Sequence, residues 1–245
     1  MSGHSKWATI KHRKGAADAK RGKLFAKLIK QVEVAARSGG GDLDANPTLR
    51  TMFQKARDNS VPLDTIERAV KRGTGELEGI NYEQITYEGY APGGIALLIE
   101  CLTDNRNRTS SEVRSTLTKH GGSLAEPGAV SWQFERKGVV LVPIAVDEEQ
   151  LMMVTVDAGA QDIVDEGEIW RIITAPGDLN GVRAALDEAE ISVEYTDLTM
   201  LPTATVEVAD VGTQKKTLHL LDLLDDLDDV QDVQDNLARY LDEVE

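Results

Sequence analysis

The stretch QITYEGYAPGGIALLIECL, residues 84–102, announces the architecture. Residues 84–90 and 95–102 are two runs rich in aliphatic and aromatic side chains, and they flank Ala91-Pro92-Gly93-Gly94. Proline presets one turn torsion and glycine accepts positive φ, so the three parts read as a β-hairpin. Cys101 lies within the second apolar run and reads as a small buried hydrophobe. It is the single cysteine of the chain, which excludes a disulfide within one molecule.

Downstream, strand and helix signals alternate. Thr109 with Glu112 three residues later forms a capping-box pattern for a helix closed by Gly121, and Val130, Trp132 and Phe134 alternate as a strand. Residues 139–142 (strand), 147–158 (helix), 162–164 (strand), 168–174 (strand), 178–189 (helix) and 191–195 (strand) give strand-helix-strand twice over, the ferredoxin-like order. Cutting that group out leaves the same order in its flanks: 95–102, the helix from Thr109, 130–134, then 204–208, a helix over 213–227 and a strand over 230–234. One unit is thus inserted within the other.

Upstream of the hairpin the pattern is helical. From Gly22, Leu24, Phe25, Leu28, Val32, Ala35 and Ala36 mark one face while Lys20, Lys23, Lys27 and Lys30 mark another, and residues 39–41 end the helix with glycines. Asn46 and Pro47 open a second helix with Leu49, Met52, Phe53 and Ala56 inside and Arg50, Lys55 and Arg57 outside. A third starts near Pro62 and stops at Gly73. Three short helices make a small core, a lobe expected to move against the rest. The expected fold is α+β and multidomain: a three-helix lobe followed by two ferredoxin-like α/β lobes, one inserted in the other. The expected divisions are 1–75 (basic arm and helical domain), 82–137 plus 203–237 (discontinuous α/β domain), 138–202 (inserted α/β domain) and 238–245 (acidic tail).

Charge supplies the functional signal. Residues 1–37 hold ten basic residues against Asp18 and Glu33, a local +8 in a chain of net −15. Through Gly75 the balance is +9, which leaves −24 for residues 76–245. A cationic head on an anionic body is drawn to polyanions in one orientation. The candidate nucleic-acid contacts are His4, Lys6, Trp7, Lys11, His12, Arg13, Lys14, Lys20, Arg21, Lys23, Lys27 and Lys30. Trp7 either stacks on a base or anchors the arm on the helical lobe. A second contact is Arg106 and Arg108 in Thr103-Asp104-Asn105-Arg106-Asn107-Arg108-Thr109, where a strand feeds a helix N-terminus. There, phosphate binding competes with a plainer reading in which the arginines pair with the acidic body.

Catalytic and metal-site patterns do not emerge. The sequence has no Gly-x-Ser-x-Gly elbow, no His-Glu-x-x-His and no phosphate-binding P-loop, and His4, His12, His120 and His219 lack ligand spacing. Asp222, Asp225, Asp226, Asp228, Asp229, Asp232 and Asp235 interleave with leucines and read as a solvated helical face. With no bilayer-length apolar run and no signal-peptide pattern, the reading is a cytoplasmic, non-enzymatic protein that needs no cofactor. Its partners are nucleic acid, DNA or ribosomal RNA and tRNA, and the ribosome, with no membrane partner. No dimer interface is evident, and a monomer is the expected state.

Gly3-His4-Ser5-Lys6-Trp7, Arg21-Gly22-Lys23-Leu24-Phe25-Ala26-Lys27-Leu28, Tyr87-Glu88-Gly89-Tyr90-Ala91-Pro92-Gly93-Gly94 and Thr103-Asp104-Asn105-Arg106-Asn107-Arg108 together resemble the YebC/PmpR family nearly end to end. The resemblance implies a cytoplasmic protein of three lobes, the first all-helical. Bacterial members are described as DNA-binding transcriptional regulators, and the related mitochondrial protein is a translational activator of cytochrome c oxidase subunit I. Bacterial relatives have also been linked to ribosomes stalled on proline-rich sequences. The tail 238–245 is longer and more acidic than the family's usual one.

Overall fold

In the computed structural model residues 18–238 are described, the side chains of 18–21 excepted. The contact N-terminal to Asp18 expected from sequence therefore lies outside the described residues. Two compact units divide the chain. One joins the segment through Gly79 with Arg136–Thr199, and the other joins Ile80–Glu135 with Met200–Ala238.

The first unit opens with α1 (Asp18–Gly39), α2 (Pro47–Asp58) and α3 (Leu63–Thr74). Leu28, Val32, Ala35, Ala36, Leu49, Ala56, Val61, Ile66 and Ala69 form their common core. Each fully buried leucine or isoleucine contributes about 1.5–3 kcal/mol relative to exposure. Asn46 makes the first corner: its Nδ2 donates to Ala35 O at 2.9 Å and Gly40 O at 2.8 Å, and its Oδ1 accepts from Leu49 N. One amide thus closes α1 and caps α2. The third helix ends on Gly75, whose φ of 85° a side chain would strain.

The rest of this unit is the inserted lobe: β4 (Phe134–Pro143), α5 (Glu148–Thr155), β5 (Ala160–Asp165), β6 (Ile169–Thr174), α6 (Leu179–Glu188) and β7 (Tyr195–Pro202). Its sheet runs β5-β6-β4-β7, which is the ferredoxin-like plan. The last strand begins at Tyr195 and not at Ile191, because Ile191 N is held by Leu186 O at the end of α6.

The helices are not separate from this lobe. Lys55 Nζ, itself partly buried, lies 2.6 Å from the buried Asp197 Oδ2, and Arg183 reaches Asp58 Oδ2 at 2.9 Å. Burial lowers the pKa of the Arg183 guanidinium, but its bonds to Asp58 and Asp187 more than restore it, leaving it above its ordinary value. Lys55, expected outside, is thus part of an internal seam.

The second unit contains β1 (Glu83–Ala91), β2 (Ile95–Thr103), α4 (Arg106–Lys119), β3 (Ser123–Leu124), α7 (Val211–Asp225) and β8 (Val230–Asp235), its sheet ordered β3-β1-β2-β8. The hairpin is as expected, with Glu83 facing Thr103 and Ala91 facing Ile95. This sheet has the same spatial plan as the other, but its third position is taken by β1, the first strand in the chain. The strand expected over 204–208 is therefore absent; Val206 makes only an isolated bridge to Leu237.

Residues 130–134 also depart from expectation. Ser131–Gln133 is a 3₁₀ turn, and β4 starts at Phe134. Val130 and Phe134 are buried against Ala96 and Leu98, on the sheet face opposite α4 and α7, so their spacing imitates strand alternation without forming one.

Candidate nucleic-acid interface

Helix α1 carries Lys20, Arg21, Lys23, Lys27 and Lys30. Lys23 is exposed and Lys30 half-buried. Lys27 is only 9% exposed, which corrects its assignment to an open cationic face. It adjoins Leu28 and lies two turns before Ala35, at the edge of the apolar stripe. The same helix buries Glu33, which receives Arg72 Nε at 2.9 Å and Arg37 at 3.2 Å. Part of the positive charge of this lobe is therefore matched internally.

In the second unit, α4 is capped by Asn105, whose Oδ1 accepts from Arg108 N, so the helix starts before Thr109. Thr109 instead faces inward. Asp229 sits beneath this corner, 4% exposed, and its Oδ2 receives Arg108 at 2.6 Å, Thr109 Oγ1 at 2.9 Å and Thr103 Oγ1 at 3.1 Å. Arg108 also reaches Asp104 at 2.8 Å. Its hydrogen bonds to Asp229 and Asp104 push the guanidinium above its usual range.

Asp229, read from sequence as solvated, is thus the anchor of the loop, and the plainer alternative describes Arg108. Arg106 differs. It is 66% exposed at the side chain and holds Glu83 only at 3.6 Å, which leaves it available to a ligand. Arg114 on the same helix is exposed as well. The α1 cations and the Arg106 corner belong to different units, so each is a surface of its own body.

Sequence reading missed Glu88. This buried carboxylate accepts from the backbone N–H groups of Gly128 at 2.7 Å, Val130 at 2.6 Å and Ser131 at 2.9 Å. Burial raises its pKa, but the three amide donors outweigh that and hold it below the ordinary carboxylate value. Pro127-Gly128 was the available signal for a turn here. Among the described residues no group of three or more His, Cys, Asp or Glu could hold a metal ion, although His120 and His219 meet edge to face with ring centroids 5.5 Å apart. No described helix is long and apolar enough to cross a membrane.

Comparison with known proteins matches residues 5–76 to the TACO1/YebC protein N-terminal domain and residues 82–237 to the TACO1/YebC second and third domain. The chain belongs to the TACO1/YebC family. It is 56% identical to a protein of Thermobifida fusca over 91% of this chain and 90% of that one, and 53% identical to one of Halothermothrix orenii over 91% and 89%. Both relatives carry the name "Probable transcriptional regulatory protein". Among solved structures, a conserved hypothetical protein of Aquifex aeolicus superposes with a TM-score of 0.89 at 45% identity, covering 98% of this chain and all of that one. The TACO1/YebC assignment accounts for the helical lobe and both sheet lobes at once.

Proposed function

We propose that this protein is a nucleic-acid-binding regulator of gene expression. The observation that carries the reading is the charge division: +8 over residues 1–37 against −24 beyond Gly75. Cations concentrated against the net sign of a chain gain by releasing counterions from a phosphate backbone, while the anionic remainder is repelled from it. The contact runs along the arm and the exposed side of α1, through Lys6, Lys11, Arg13, Lys14, Lys20 and Lys23, with Arg106 as a second point. The names borne by the relatives support a transcriptional role on DNA.

One feature supports the second reading, binding to RNA of the translation machinery. Helices α2 and α3 have the spacing of a helix-turn-helix, but α3 opens with exposed Asp64 and Glu67, acids where a groove-reading helix would meet phosphates.

The test replaces Lys11, Arg13, Lys14, Lys20 and Lys23 by Glu and measures affinity for duplex DNA and structured RNA between 50 and 200 mM salt. Wild-type affinity should fall by roughly 10³-fold or more if six or more phosphates are neutralised. The variant should fold normally and lose binding. Unchanged binding would reject the assignment. Promoter footprinting set against co-sedimentation with ribosomes separates the two targets.

A further inference from the structure

Trp132 is 74% exposed, an unusual position for the largest apolar side chain. Its mounting is equally unusual. The preceding backbone is clamped by Glu88 through Gly128, Val130 and Ser131, and Val130 and Phe134 on either side are buried in the sheet. Gln133 is held in turn: its carbonyl accepts from Thr203 N at 2.8 Å and its Oε1 accepts from Asn236 at 3.0 Å. A buried carboxylate and a buried apolar pair thus hold one short turn, and the turn displays an indole.

The ring's polar handle is already used, since Nε1 donates to Ala129 O at 3.1 Å. What remains for a ligand is the flat π surface. Along the chain the exposed side chains nearest to it are Glu126, Pro127, Glu135 and Arg136, mostly charged neighbours rather than the apolar ones that accompany protein-interface anchors. Glu126 and Glu135 outnumber Arg136 beside the turn, which disfavours a phosphate backbone lying across it and leaves the approach of a base whose own phosphates are held elsewhere.

We infer that Trp132 is a stacking platform for an unpaired nucleobase, a nucleic-acid contact in the second unit distinct from the basic arm. This rests on the nucleic-acid reading above and specifies which part of the ligand, an unstacked base, this unit engages. Stacking is sequence-tolerant because every base presents a π face.

Trp132→Ala and Trp132→Phe both give up the Nε1 bond to Ala129 O, so their folding is first checked by urea titration, and they are then compared with wild type on four ligands of equal length. These are single-stranded RNA, single-stranded DNA, a duplex, and an abasic single strand. The Ala variant should bind both single strands roughly tenfold more weakly, with duplex and abasic affinities unchanged, and Phe should restore most of the loss. A loss confined to RNA also supports the proposal and adds a ribose 2′-OH to the contact. If the Ala variant matches wild type on every ligand that wild type binds, the indole serves another partner, such as a protein, and the proposal fails while the arm reading stands. If wild type binds none of the four, both fail together.

Discussion

Arg108 and Asp229, 121 residues apart in the chain, meet at 2.6 Å over the hydroxyls of Thr103 and Thr109. The pair joins the α4 N-terminus to the start of β8. Replacing Asp229 by Ala strips both hydroxyls and the guanidinium of an acceptor, which costs about 1–3 kcal/mol. A urea titration would read this as a lowered midpoint with an unchanged slope. Arg108→Gln should leave nucleic-acid affinity near wild type and Arg106→Gln should weaken it. The reverse order would return Arg108 to the interface.

Glu88 gives a pH dependence of known sign. Its folded pKa lies below that of the unfolded chain, so the stabilisation is fully present above the unfolded value, near 4.3, and is lost as pH falls through the folded one. Glu88→Gln should lower the melting temperature at pH 7, since a carboxamide is a weaker acceptor for three amides, with a loss of about 1–3 kcal/mol. The difference from wild type should shrink between pH 5 and 3. A gap constant across that range would mean that the carboxylate contributes no charge-dependent stability.

The pair of Lys55 with the buried Asp197 predicts strong asymmetry between single and double changes. Removing Lys55 leaves the buried Asp197 carboxylate without its cation, with a loss of about 3–5 kcal/mol, removing Asp197 costs less because Lys55 is only partly buried, and Lys55→Met with Asp197→Leu should recover much of the loss. The double-mutant cycle also carries a second contact, because Tyr195 donates to the same Asp197 oxygen at 2.6 Å. Additive losses would show that the pair is not coupled.

At Gly73 α3 packs directly against the backbone of α1. A Cβ built there would overlap Glu33 O and lie 2.6 Å from the Ala36 Cβ, and the first of these is backbone that cannot swing aside. Gly73→Ala should therefore destabilise the protein by about 1–3 kcal/mol despite alanine's better helix propensity. A more stable variant in thermal denaturation would contradict this packing.

What the sequence displayed was whatever depends on neighbours in the chain. The hairpin, the Asn46 cap and the alternating elements of the inserted lobe follow from local periodicity and turn chemistry, whereas the stop expected at Gly73 falls at Gly75, and Gly73 is a packing glycine within α3. What it hid depends on partners far along the chain. Val130 and Phe134 have strand spacing because one apolar sheet face receives both from a turn. Asp229 and Asp235 share the spacing of one solvated helical face, yet both are buried: Arg108 and two threonines converge on Asp229, and Asp235, in strand β8, accepts from Leu237 N. Lys27 belongs to a basic series by composition and to the buried side of α1 by angle. The candidate site was legible as charge, while the separation of anchored from available cations required the distances.

The interruption of the second unit sets an order of completion during synthesis. Strand β2 is central to its sheet, yet its partner β8 lies at the far end of the chain, and Asn236 closes on Ala96 across 140 residues. The inserted lobe is whole once Pro202 has emerged, whereas one edge of β2 waits bare until Val230–Asp235 follows. The interior of the gene product thus matures before its frame, and a stop anywhere between 203 and 229 leaves a finished lobe carried by an open, aggregation-prone sheet.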